Sequence, residues 1–94
     1  MTIDLIQSTL IKGGYPEKQT LAVAKDLLAV ALPLQPLLQS WISEGTETDF
    51  TADRFSILEL KKRFNMTYPA ALLSIDWVLK EPEIAVRAIS RGIR

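Results

Sequence analysis

Prolines and glycines divide this chain into short segments and so limit it to short helices. Glycine readily ends a helix because it takes the left-handed conformation, and proline suits the first turn because its missing N–H costs nothing there. Those that separate the predicted helices are Gly13-Gly14, Pro16, Pro33, Pro36, Gly45, Pro69 and Pro82. Between them, apolar residues recur at helical spacing, as in Ile3, Ile6 and Leu10. The pattern predicts several short helices and little or no sheet.

The same signals place the predicted helices along the chain. We expect helices from Thr2 to Gly13, from Pro16 to about Leu32, from Pro36 to Gly45, from Ile57 to Phe64, from Thr67 to Lys80 or Glu81, and after Pro82. The polar stretch TETDFTADRF allows one small β-hairpin near residues 48–57, although no glycine marks its turn. We therefore predict an all-α fold, a compact bundle of five or six short helices that forms a single helical domain over residues 1–94.

The amino-acid composition removes the commonest catalytic and metal-binding groups. The chain has 94 residues, of which 48% are apolar, enough for a core without disulfides or a structural metal. It contains no cysteine and no histidine, so it lacks the usual zinc ligands and the usual general base. The acidic loop at Glu44, Glu47, Asp49 and Asp53 lacks the central glycine of a calcium loop. We predict a protein that is not an enzyme and that uses no cofactor and no metal.

Neither the N-terminal residues nor the most apolar run of the sequence has the features of a segment that enters a membrane. The N-terminal residues MTIDLIQSTL carry an acid and no early lysine or arginine, unlike a secretory signal. The most apolar run, LAVAKDLLAVALPLQPLL, is interrupted by charged residues, glutamine and prolines, whereas a span needs about 20 mostly apolar residues. We expect a soluble, cytoplasmic protein with no membrane contact.

Residues 56–78, SILELKKRFNMTYPAALLSIDWV, resemble the helix-turn-helix pattern of DNA-binding regulators. Phe64 and Met66 fall where such motifs place apolar residues around the turn, and Asn65 stands where they usually have glycine. The segment departs from the pattern at Lys61, where a small residue is usual. It departs again at Ala71 and Ser74, where larger apolar residues are usual, so the fit requires a turn longer by one residue.

The resemblance implies DNA binding through residues 57–80, with Lys61, Lys62 and Arg63 as candidate phosphate contacts. The second helix of the motif would have to read base edges, yet no basic residue occurs in it before Lys80. The whole chain has 11 basic and 11 acidic residues, whereas a dedicated nucleic-acid binder normally has a positive excess. An αα-hairpin that packs in the core explains the same segment.

Arginines follow one face of the last predicted helix. Arg87, Arg91 and Arg94 are spaced at i, i+4 and i+7, which brings them to one side. Guanidinium groups suit phosphate or carboxylate recognition, so this stripe is a candidate anion or nucleic-acid contact. Cations near the C-terminal end of a helix also complement its dipole without any ligand.

The strongest positive signal is an excess of apolar residues between Leu27 and Ile42. We take Leu37, Leu38, Trp41 and Ile42 as a candidate partner-binding surface, because aromatic and aliphatic side chains of this kind dominate protein interfaces. The alternative is that these side chains simply fill the core. The sequence thus predicts a small interaction or regulatory module that acts through a protein partner or through a homo-oligomer. A helix-turn-helix transcriptional regulator that uses residues 57–80 is the alternative.

Overall fold

The computed structural model describes residues 2–92, and these form six α-helices, one 3-10 helix and one β-hairpin. The α-helices are α1 (Ile3–Lys12), α2 (Glu17–Leu28), α3 (Gln35–Glu44), α4 (Ile57–Arg63), α5 (Tyr68–Lys80) and α6 (Pro82–Ser90). The 3-10 helix is Leu32–Leu34, and the strands are β1 (Thr51–Ala52) and β2 (Phe55–Ser56). This architecture confirms the predicted bundle of short helices with one small hairpin.

Local side-chain chemistry explains where three of the six described α-helices begin. The Thr2 hydroxyl accepts a hydrogen bond from the Leu5 N–H at 3.2 Å, and the Thr67 hydroxyl accepts one from the Ala70 N–H at 3.3 Å. Each bond satisfies an N–H that the first turn of a helix leaves without a partner. Ser56 and Glu59 form a reciprocal capping box at the start of α4.

The second helix ends at Leu28, four residues before the predicted position. Pro33 disfavours the α conformation at the residue before it, and the chain instead continues into the 3-10 helix. The backbone groups released by this early end are bonded by α5. The Lys80 ammonium donates to the Ala29 carbonyl at 2.7 Å, and the Ala31 N–H donates to an Asp76 carboxylate oxygen at 2.8 Å.

The predicted hairpin is present and turns without glycine. Strands β1 and β2 pair antiparallel, with Ala52 opposite Phe55. Asp53 supplies the left-handed residue of the turn at φ 56°, a conformation that aspartate tolerates better than most residues. Asp49 fixes the hairpin to α4, because its Oδ1 accepts the N–H groups of both Phe50, at 2.9 Å, and Leu58, at 3.0 Å.

The central element is α5, which packs against α2, α4, α6 and β1. More than half of its residues are buried, among them Tyr68, Leu72 and Ile75. Helices α1 and α2 pack against each other, and α1 also contacts α3. Each remaining helix buries one face on this core, and the other face is left to solvent.

No single helix within residues 2–92 is both long enough and apolar enough to cross a membrane. The α2 helix and the Leu32–Glu44 segment would suffice together in length and composition, but they meet at a bend of 115°.

Candidate protein-interaction surface

The structure places the four candidate partner-binding residues in or against the core. Leu38 is only 2% exposed, and Leu37, Trp41 and Ile42 are half-buried and pack on core side chains. The Trp41 ring lies 6.2 Å from the Tyr68 ring, centroid to centroid, at a tilt of 34°. These residues therefore contribute mainly to the packing of α3, and the apolar side chains exposed in this region are different ones.

An open groove lies where the end of α2 meets the start of α3. Its volume is about 470 Å³, and its lining residues are Leu27, Leu28, Leu32, Gln35, Pro36, Leu38 and Gln39. Leu32 is 77% exposed, more than any other large apolar residue among residues 2–92. The groove thus combines a buried leucine, Leu38, with a protruding one, Leu32.

The outward face of α2 contributes one leucine, Leu28, to this apolar area. Thr20, Ala24 and Leu27 face the core and are fully buried. Leu21 and Leu28 are 46% and 37% exposed on the same side of the helix, but the exposed Lys25 lies on that side between them. We therefore call the exposed residues Leu28, Leu32, Gln35, Pro36 and Gln39 the α2–α3 surface.

This surface is almost free of charge. Residues 27–43 contain no aspartate, glutamate, lysine or arginine, in a chain of which 23% is charged. Lys25 and Asp26 border the surface on the α2 side, and Glu44 ends α3. Large exposed apolar areas are typical of sites that bind proteins, membranes or small ligands, so this surface is a candidate binding site.

A polar cluster from α5 holds Leu32 in its protruding position. Asp76 is 7% exposed, and its second carboxylate oxygen bonds the Lys80 ammonium at 2.8 Å. The same two side chains bind the backbone of Ala29 and Ala31, the residues just before Leu32. The sequence does contain a signal for this cluster, since Asp76 and Lys80 form an i, i+4 pair in an otherwise apolar helix. That signal does not identify the backbone groups that the pair binds.

The segment that resembles a helix-turn-helix forms two packed helices, α4 and α5, joined by a turn in which Asn65 is left-handed at φ 54°. At the start of α5, Tyr68 and Pro69 are both buried. The Tyr68 hydroxyl donates to the Thr48 carbonyl at 2.7 Å. Burial, together with the negative charges of Glu47 and Asp49, raises the pKa of Tyr68 to about 12. The loop before β1 therefore covers the first turn of α5.

Of the three basic residues on α4, Lys61 is paired with Glu47. Lys62 and Arg63 are exposed, and the Arg63 guanidinium lies 5.0 Å from the centre of the Phe64 ring. Neither Lys62 nor Arg63 forms a salt bridge with another residue of the described range 2–92. Cations at this end of a helix can bind phosphate, and they also suit the negative end of the helix dipole.

Arg87 and Arg91 are exposed on α6, and Arg94 lies outside the described residues. Arg87 lines a groove of about 460 Å³ that also receives Arg54 from the hairpin. Asp53 and Glu83 line the same groove, so its two positive charges are balanced by two negative ones. This arrangement offers a bound anion no net attraction.

Within residues 2–92, no group of three or more acidic side chains lies close enough together to hold a metal ion. Comparison with protein-family models, with curated proteins and with solved structures finds no match to this chain.

Proposed function

We propose that this protein is a small, non-enzymatic interaction module of the cytoplasm that acts through protein–protein contact at the α2–α3 surface. The observation that carries the proposal is Leu32, a large apolar side chain that is 77% exposed beside an uncharged groove. Complete burial of a leucine side chain contributes about 1.5–3 kcal/mol. Leu32 is thus suited to contribute a large share of the free energy of binding.

The neighbouring contacts support this role because they fix the surface before a partner arrives. The hydrogen bonds from Asp76 and Lys80 hold the backbone on the α2 side of Leu32. Pro33 and Pro36 restrict the backbone on the other side. A side chain held in this way loses less conformational entropy on binding than one on a flexible loop.

Site-specific photo-crosslinking tests the proposal. A photoreactive phenylalanine analogue in place of Leu32 is expected to give discrete protein adducts when the chain is irradiated in its own cells. The matched control carries the analogue in place of Ile84, which is 55% exposed, lies on α6 and is not part of the groove. Adducts at position 32 that are absent at position 84 support the proposal. An absence of adducts at position 32, or the same adducts at both positions, contradicts it.

DNA binding through residues 57–80 is the second candidate function. It is favoured by the packed α4–α5 pair with a left-handed Asn65 in its turn, and by the exposed Lys62 and Arg63. The covered first turn of α5 opposes it, because base edges are usually read by side chains from that part of a recognition helix.

A further inference from the structure

We infer that the occupant of the α2–α3 surface is a second copy of this chain, related to the first by a two-fold axis. This inference rests on the proposed function and specifies its partner. In a two-fold interface the same patch is used on both subunits, so the patch must be complementary to itself. Three features of the α2–α3 surface meet that requirement.

The first feature is the absence of charge. When a charged patch meets its own copy, groups of the same sign are brought together near the axis, and such contacts cost several kcal/mol. Residues 27–43 carry no charged side chain, so two copies can approach there without repulsion. A partner selected by charge would find nothing on this surface to recognise.

The second feature is a glutamine, Gln39, which lines the groove one turn after Gln35 on α3. The Gln35 amide donates to the Val30 carbonyl at 3.3 Å, so we assign the pairing with a second copy to Gln39. An amide side chain carries both donors and acceptors, so a glutamine can pair with the identical residue of another copy. A carboxylate only accepts and an ammonium only donates, so neither can pair with its own kind in this way.

The third feature is shape and size. The protruding Leu32 and the groove belong to the same patch, so each copy presents both a projection and a hollow. The chain exposes 5807 Å² in total, and an interface of standard size, about 800 Å² from each partner, would cover roughly one-seventh of it.

The experiment measures the mass of the purified chain by sedimentation equilibrium over a range of concentrations. We expect a dimer, with twice the 10.5 kDa mass of one chain. Leu32→Ser is expected to raise the dissociation constant at least about tenfold, the equivalent of 1.4 kcal/mol. Ile84→Ser, the exposed control on α6, is expected to leave it unchanged. A monomeric wild-type chain, or a dimer unaffected by Leu32→Ser, would overturn the inference.

A pair of charge variants then tests the two-fold relation. Gln39→Glu and Gln39→Lys each place like charges opposite one another in the dimer, so each alone is expected to shift towards monomer. An equimolar mixture of the two is expected to recover the dimer, because opposite charges then meet. Gln39 is exposed, so neither change disturbs the core. Failure of the mixture to recover the dimer would overturn the two-fold pairing.

The outcomes separate this inference from the proposed function. One outcome is a monomeric chain that still gives protein adducts at position 32, none of them with the mass of two chains. That result overturns the inference that the partner is a second copy, and it leaves the proposed function standing. A monomer without such adducts overturns both. A monomer that sediments with phosphatidylcholine vesicles, and loses this binding in Leu32→Ser, assigns the surface to lipid and also overturns both.

Discussion

At the scale of single residues, Tyr68 is the side chain whose acidity the fold changes most clearly. Its pKa is raised from 10 to about 12, chiefly because the hydroxyl is buried. The folded chain therefore holds this proton more tightly than the unfolded chain. The resulting stability is fully present below pH 10 and is lost as the pH rises through 12. We predict that the free energy of unfolding falls by roughly 2 kcal/mol between pH 10 and 12 on account of Tyr68 alone.

The comparison that isolates this effect is with Tyr68→Phe. Urea unfolding at a series of pH values measures the free energy of unfolding of both chains, and the other groups that titrate in this range are common to them. The variant loses the hydrogen bond to the Thr48 carbonyl, so it starts from a lower stability at neutral pH. Its stability is expected to decline less steeply above pH 10. Parallel curves for the two chains would contradict the prediction.

At the scale of the elements, the sequence predicts those helix boundaries that depend on neighbouring residues. Thr2, Ser56 and Thr67 cap their helices through bonds to residues three positions ahead, so the starts of α1, α4 and α5 follow from neighbouring residues. The end of α2 follows only in part. Pro33 interrupts the helix locally, but the backbone groups that its early end leaves free are bonded by Asp76 and Lys80, which lie 45 and 51 residues away.

The α2–α3 surface is likewise predictable from the sequence only in part. The excess of apolar residues between Leu27 and Ile42 is evident in the sequence, and two exposed leucines, Leu28 and Leu32, lie in this stretch. Which of these leucines is buried depends on how α3 packs on α1 and the rest of the core, and periodicity alone does not fix that packing. Leu38 accordingly lies in the core, while Leu32, which was not among the candidates, is the exposed residue.

The contact between α5 and the end of α2 can be tested through Asp76. Asp76→Ala leaves the Ala31 N–H and the Lys80 ammonium without this carboxylate, and we expect it to lower the free energy of unfolding by about 2–3 kcal/mol. Asp26→Ala is the matched control, because Asp26 is exposed and lines the same small pocket as Asp76. Its effect is expected to stay within about 0.5 kcal/mol.

Urea unfolding gives both free energies, and amide hydrogen exchange locates the change. The Ala31 amide is expected to exchange faster in Asp76→Ala than in the wild-type chain, whereas Asp26→Ala should leave its rate unchanged. Equal destabilisation by the two substitutions would show that the carboxylate of Asp76 has no special role in holding the residues before Leu32.

At the scale of the whole molecule, the net charge of zero describes the chain less well than the distribution of its charges does. The total is known from composition and the uncharged stretch 27–43 from the sequence, but only the fold shows that the groove beside α6 carries balanced charges. Lys61 is likewise neutralised by Glu47, a pairing across 14 residues. Among the described residues, Arg54, Lys61 and Lys80 each lie beside an acidic partner.

This distribution leads to a prediction about nucleic acid. Binding to duplex DNA depends mainly on the release of counterions by several clustered cations, and α4 offers only Lys62 and Arg63 once Lys61 is paired. We expect fluorescence anisotropy of a mixed-sequence duplex to show no binding at physiological salt and none at low salt. Binding that falls steeply with salt, and that weakens in the double variant Lys62→Ala with Arg63→Ala, would instead assign DNA contact to α4 and α5. The control double variant, Lys18→Ala with Lys25→Ala, removes the same charge from exposed positions on α2, so it separates loss of a specific contact from loss of charge.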